Sequence, residues 1–183
     1  MGQQLQKAQE KAEKMQDSIT SHLRTGKQAL YKASDDLYPQ HALFDFGDIA
    51  FDSRFDSGNL MTVERVSEDR FSVWIAPDNW KRPTQTNHRV SYYFKVSTRF
   101  QSYPRKITIV LKNINRNELN NIKNGMVPSY YAPSNNFQWT YLPYPYKNVE
   151  LVQNGIQATF EYTFHEIDRD GVFFSHTPPY TYT

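Results

Sequence analysis

Tyr92, Phe94 and Val96 alternate with Ser91, Tyr93 and Lys95, and the pattern extends back through Val90 and Arg89 across residues 88–99. A period of two puts one set of side chains on each side of an extended strand, so one face is apolar and the other polar. Ile107, Ile109 and Leu111 repeat the pattern in Arg105 to Ile114, and Asn59 to Val66 and Arg70 to Ala76 read as two further strands. Asn154-Gly155 separates Val149–Val152 from Ile156–Phe164, and Asp170-Gly171 separates Phe164 from Val172–Ser175. Both dipeptides tolerate the positive φ angles of tight turns, so each predicts a hairpin. Short strands joined by turns predict an all-β, antiparallel β-sandwich. Tyr130, Tyr131, Trp139, Tyr141 and Tyr144, set among prolines between Pro128 and Pro145, predict an aromatic loop without regular structure.

The first 34 residues differ. They lack proline, and Leu5, Ala8, Ala12, Met15 and Ile19 follow a 3-4 spacing that predicts a helical extension. The seam is short and has alanine at two of its five positions, which favours a lone helix over a coiled coil. Residues 35–47 read as a linker and 48–183 as the sandwich.

The 13 Tyr, 12 Phe and 3 Trp suit strands and broad contact surfaces, and the absence of cysteine excludes disulfides, a thiol nucleophile and a Cys-based zinc site. Gln6 stands where a myristoylation signal needs Ser or Thr, and no run reaches membrane-spanning length. These features predict a cytoplasmic protein with no membrane partner.

Catalytic groupings are missing. None of His22, His41, His88, His165 and His176 begins a His-x-x-Glu or forms a His-x-x-x-His pair. Asp168-Arg169-Asp170-Gly171 opens like a calcium loop but lacks the remaining ligands, and no phosphate-binding glycine loop follows a strand. The expectation is no catalytic residue, metal ligand or cofactor in this chain.

Charge is unevenly placed. Between Asp78 and Glu118 there is no acidic residue and there are nine basic ones. If 88–99 pairs with 105–114, Arg89, Lys95 and Arg99 share a sheet face with Lys106 and Lys112. Such a face would attract an acidic peptide, or would simply be solvated and resist edge aggregation. A net charge of +2 argues against a dedicated nucleic-acid binder.

The stretch Phe51-Asp52-Ser53-Arg54-Phe55-Asp56-Ser57-Gly58-Asn59-Leu60 closely resembles the opening motif of the N-terminal domain of cytosolic carboxypeptidases. The resemblance continues in order through Tyr93-Phe94-Lys95-Val96, Ile109 to Asn115, Asn124-Gly125-Met126-x-Pro128, Phe160 to Phe164 and Pro179-Tyr180-Thr181-Tyr182-Thr183, spanning about 48–183. It implies a β-sandwich preceding a zinc carboxypeptidase domain that removes glutamates from the acidic tails of tubulin and other proteins. The zinc ligands and general base belong to that following domain, so none is carried onto this chain. The implied partners are the catalytic domain and acidic tubulin tails, with microtubule or cilium association. Within the motif, Gly58 is expected to adopt a conformation closed to other residues beside Ser57 and Asn59, while Phe51, Phe55 and Leu60 anchor the turn to the core. Residues 130–146, with Tyr180 and Tyr182, are candidates for docking on the catalytic domain. Two alternatives stand beside this reading. One is a stand-alone interaction module without enzymatic activity, on microtubules for instance. The other is a carbohydrate binder using Trp80 and Trp139, which would need coplanar exposed rings.

Overall fold

The computed structural model describes residues 30–33 (as backbone), 42–78, 86, 88–89 and 91–179. Residues 1–29 of the expected helical extension, Trp80, Tyr180 and Tyr182 lie outside these residues, while residues 30–33 of that extension form a strand and not helix.

Alternation is visible in β7 (Arg105–Ile114), where Ile107, Ile109 and Leu111 are fully buried while Lys106, Thr108 and Lys112 point the other way. Further strands are β2 (Ala42–Asp45), β3 (Ile49–Asp52), β4 (Leu60–Ser67), β5 (Arg70–Ile75), β6 (Tyr93–Thr98), β10 (Lys147–Val152), β11 (Gly155–Phe164) and β12 (Val172–Ser175), of which β2 and β6 alternate strictly and β10 buries no residue. Short strands β1 (Leu30–Ala33), β8 (Ser129–Tyr131) and β9 (Thr140–Tyr141) complete the set, with one short helix, α1 (Leu119–Lys123). A seven-stranded sheet runs β1-β2-β3-β6-β12-β8-β9, and a five-stranded sheet runs β10-β11-β7-β5-β4. Their apolar faces meet through aromatic rings. Phe51 of β3 lies 5.0 Å from Phe71 of β5, and Phe174 of β12 lies 5.3 Å from Phe160 of β11. This is a β-sandwich, as expected.

Several local expectations change. β6 pairs with β3 and β12, whereas β7 pairs with β11 and β5, so the two basic strands belong to different sheets. β5 and β7 are parallel: the strand between them in sequence, β6, makes its return journey in the opposite sheet. Asn154-Gly155 does close a hairpin, β10 to β11. Asp170-Gly171 does not, because β11 and β12 lie in different sheets and the segment between them is a crossover. The aromatic stretch 128–145 contains the β8–β9 hairpin, whose two strands are too short to print a periodicity. Pairing also begins before residue 48, since β2 bonds to β3 and β1 to β2.

Candidate functional site

The Phe51–Leu60 stretch carries the chain from one sheet to the other. Ser53 is fully buried, and its Oγ accepts from Ala42 N–H at 3.0 Å. Its own carbonyl passes so close to Gly58 that any Cβ there would overlap it. Gly58 is therefore required by close approach. The left-handed residue of the turn is Ser57, at φ 64°. Phe51 and Leu60 are core residues, as expected, but Phe55 is not. Its ring lies against Tyr93 (4.8 Å) and Phe173 (5.3 Å), which point outward from β6 and β12. Asn59 bridges to the start of β6, accepting from Tyr93 N–H on Oδ1 (2.9 Å) and donating from Nδ2 to the Ser91 carbonyl (2.7 Å).

The five basic residues do not form one face. Lys95 lies on the outer side of the seven-stranded sheet, its Nζ 5.7 Å from the Phe173 ring centre. Arg99 pairs with Asp45 at 2.7 Å. Lys106 and Lys112 point outward from the other sheet, the first beside Glu161 (3.7 Å) and the second donating to Gln157 Oε1. Arg89 sits at an end of the sandwich, its Nε donating to the Ile75 carbonyl at 3.2 Å.

The outer side of the seven-stranded sheet instead carries a continuous aromatic surface. Phe55, Tyr93, Phe173, Tyr131 and Trp139 touch in sequence and Phe137 touches Tyr131, with centroids 4.8–6.0 Å apart. The rings are mutually inclined. Trp139 meets Tyr93 at 60° and Tyr131 at 39°, so they are not the coplanar platform a sugar ring would favour. Phe137 is 57% exposed, and it and Asn136 both adopt left-handed backbone conformations (φ 55° and 59°). That conformation costs a bulky L-residue about 1–2 kcal/mol, and here it holds an apolar ring toward solvent.

At the end where β12 finishes, a polar chain runs through the interior. Tyr92 and Tyr146 share a hydroxyl hydrogen bond of 2.7 Å, and Tyr146 Oη lies 3.3 Å from His176 Nδ1. His176 Nε2 is 3.3 Å from Glu118 Oε2, which also accepts from Asn121 Nδ2 at 3.0 Å. Burial pushes both tyrosine pKa values up, so the phenols stay protonated donors. This chain escaped sequence reasoning because its members are 30 to 58 residues apart. A second group, also missed, is buried Asp168, which accepts from Tyr162 Oη (3.1 Å) and Ser134 N–H (3.0 Å) and ties the crossover before β12 to the turn after β8.

Glu118 gives a pH signature. The Asn121 bond, followed by the His176 contact, holds its carboxyl below the ordinary value of 4.5. A carboxylate depressed on folding contributes stability above its unfolded pKa and loses it as pH falls through the folded one. Glu118→Gln should therefore flatten the fall in urea midpoint below about pH 4.5 relative to wild type. Parallel acid profiles for the two proteins would show that Glu118 contributes nothing to it.

No group of three His, Asp or Glu side chains able to hold a metal converges among the described residues. They do not fit a catalytic zinc, and no chemical step is derived through one. Nor, among those residues, is any helix long and apolar enough to cross a membrane.

The family model described as the cytosolic carboxypeptidase N-terminal domain matches residues 51–170. Mouse cytosolic carboxypeptidase 3 is 30% identical over 147 residues, covering 74% of this chain and 14% of that protein. Human cytosolic carboxypeptidase 6 is 27% identical over 141 residues, covering 75% and 26%. Among solved structures, a metallo-carboxypeptidase from Pseudomonas aeruginosa aligns with TM-score 0.44 and 17% identity over 72% of this chain and 30% of its own. The chain thus spans between a seventh and about a quarter of the curated relatives it matches. The match begins at the first residue of the Phe51–Leu60 crossover and runs to the turn before β12, and the chain belongs to the cytosolic carboxypeptidase N-terminal domain family.

Proposed function

We propose that this chain is the non-catalytic N-terminal sandwich of a cytosolic zinc carboxypeptidase that removes glutamates from tubulin and other acidic tails. The carrying observation is the family match over 51–170 together with relatives that extend far beyond the matched part. The zinc ligands and the base would reside in the following catalytic domain, which is this domain's first partner. The outer aromatic surface suits that docking. It is apolar, continuous and half-exposed, and Phe137 is held outward at a conformational cost. It also belongs to the sheet whose strand β12 leads to Pro179. Tyr180 and Tyr182 follow directly and would extend the contact. Cytoplasmic location, with association to microtubules or cilia, follows from the acidic tails as substrate.

The test is the mass of the endogenous protein, detected with an antibody raised against residues 48–183. A band far above 21.6 kDa is expected. A band at 21.6 kDa would overturn the reading in favour of a stand-alone interaction module.

A further inference from the structure

Two arginines of the acid-free window meet at one end of the sandwich. Arg89 and Arg116 line an open hollow of about 430 Å³ with His88, Asn115, Asn117 and Asn154. Arg116 Nη2 donates to the carbonyls of Val152 (3.1 Å) and Gln153 (2.9 Å) in the β10–β11 turn. Arg89 Nε donates to Ile75 at the end of β5. Backbone carbonyls thus hold both guanidinium groups in place, and an arriving ligand has little side-chain freedom to remove. Asn side chains supply further amide donors around the rim. Among the described residues lining the hollow there is no Asp or Glu. Glu118, nearby in sequence, is committed to Asn121 and His176, and Asp78 reaches Arg89 through its field. Half-burial also lowers the Arg89 pKa, a cost that an adjacent anion would offset.

The hollow is well placed. Ser175 at the end of β12 pairs with Tyr93 at the start of β6, and Thr177, Pro178 and Pro179 line a second hollow with Asn59, Asp78 and Ser91. Ser91 of that hollow stands two residues from Arg89 in the chain.

We propose that Arg89 and Arg116 form a carboxylate-binding site for a run of glutamates in an extended acidic peptide. Paired, pre-positioned guanidinium groups favour carboxylate oxygens. Among the described residues, no Phe, Tyr or Trp lines the hollow to stack a nucleobase. The site stands on its own geometry; naming its ligand as the enzyme's substrate tail rests on the function proposed above.

The experiment is fluorescence anisotropy of a labelled oligoglutamate peptide with the 183-residue chain, from low to physiological salt. Saturable binding is expected, weakened about tenfold by Arg116→Gln or Arg89→Gln and unchanged by Lys112→Gln on the outer sheet face. Arg89 also holds Ile75, so urea midpoints accompany the series. If the Arg89 variant does not fold, Arg116→Gln alone decides. Absence of binding by the wild type, equal weakening by Lys112→Gln, or displacement by an equal concentration of inorganic phosphate would each overturn the site. The endogenous mass separates the two proposals. Failed peptide binding with a heavy band removes only the site, and peptide binding with a 21.6 kDa band removes only the enzyme context.

Discussion

Phe174→Ala is expected to destabilise the domain by about 3–5 kcal/mol, the range for emptying a fully buried aromatic site. Phe174 has no exposed surface and projects from β12 into the space between the sheets. Phe94 of the same sheet lies 5.9 Å from it, and Phe160, Tyr162 and Phe164 of the opposite sheet lie at 5.3, 5.2 and 6.5 Å. A cavity bounded by two hydrogen-bonded sheets cannot close by a side-chain rotation, so the cost belongs near the top of the range. The neighbouring residue is the control. Phe173 points outward into the aromatic surface, and Phe173→Ala removes only half-buried contacts, so about 1 kcal/mol is expected. Urea denaturation followed by tryptophan fluorescence measures both. Equal losses for the two variants would mean that the inward and outward faces of β12 are wrongly assigned.

Such an assignment is legible in a sequence where apolar and polar residues alternate, because a strand with one buried face must alternate. Ile107, Ile109 and Leu111 against Lys106 and Lys112 were readable from spacing alone, whereas Val172-Phe173-Phe174 is apolar throughout and its two faces are told apart only by the structure. Which sheet each strand joins was not legible. Alternation fixes an inward side and is silent about the partner, so pairing of β6 with β7, adjacent in sequence, stood only as a condition, and the two lie in opposite sheets. The predicted basic face failed for the same reason: its residues divide between opposite sides of the sandwich. Asp170-Gly171 carried a hairpin signal and serves a crossover, whereas Asn154-Gly155 carried the same signal and closes a hairpin. Local turn chemistry specifies a reversal, not its destination. Phe55 read as a core residue because it is aromatic and shares the Phe51 motif, yet it lies in the outer surface. Of the candidate carboxylate site, Arg89 and Arg116 were visible as members of a basic window. Their convergence depends on the β10–β11 turn, far along the chain.

Asn113→Ala should cost roughly 2–4 kcal/mol, because it strips two partners from one buried backbone unit. Ile75 N–H donates to Asn113 Oδ1 at 2.8 Å, and Asn113 Nδ2 donates to the Ile75 carbonyl at 2.9 Å. The paired register of β5 and β7 ends at Val73, so the Asn113 amide continues the ladder where the backbone no longer can. Asn113 is 2% exposed, and water cannot readily replace what is lost. Asn113→Asp supplies a sharper test. It keeps the acceptor for Ile75 N–H, removes the donor and places a carboxylate in a site that disfavours charge. Burial raises the folded-state pKa of such a carboxyl above its unfolded value. The neutral acid is then favoured below the unfolded pKa, and stability relative to wild type is lost as pH rises through the folded one. Urea midpoints of Asn113→Asp and wild type should therefore converge as pH is lowered, whereas the Asn113→Ala deficit should persist. A gap independent of pH for both variants would mean that Asn113 acts by volume and not through its amide. The Ile75 carbonyl also accepts from Arg89 Nε, so the clamp positions one of the two guanidinium groups of the proposed carboxylate site. Folded Asn113→Ala protein should accordingly bind oligoglutamate more weakly while Arg116 is intact, linking a buried amide to recognition at the surface.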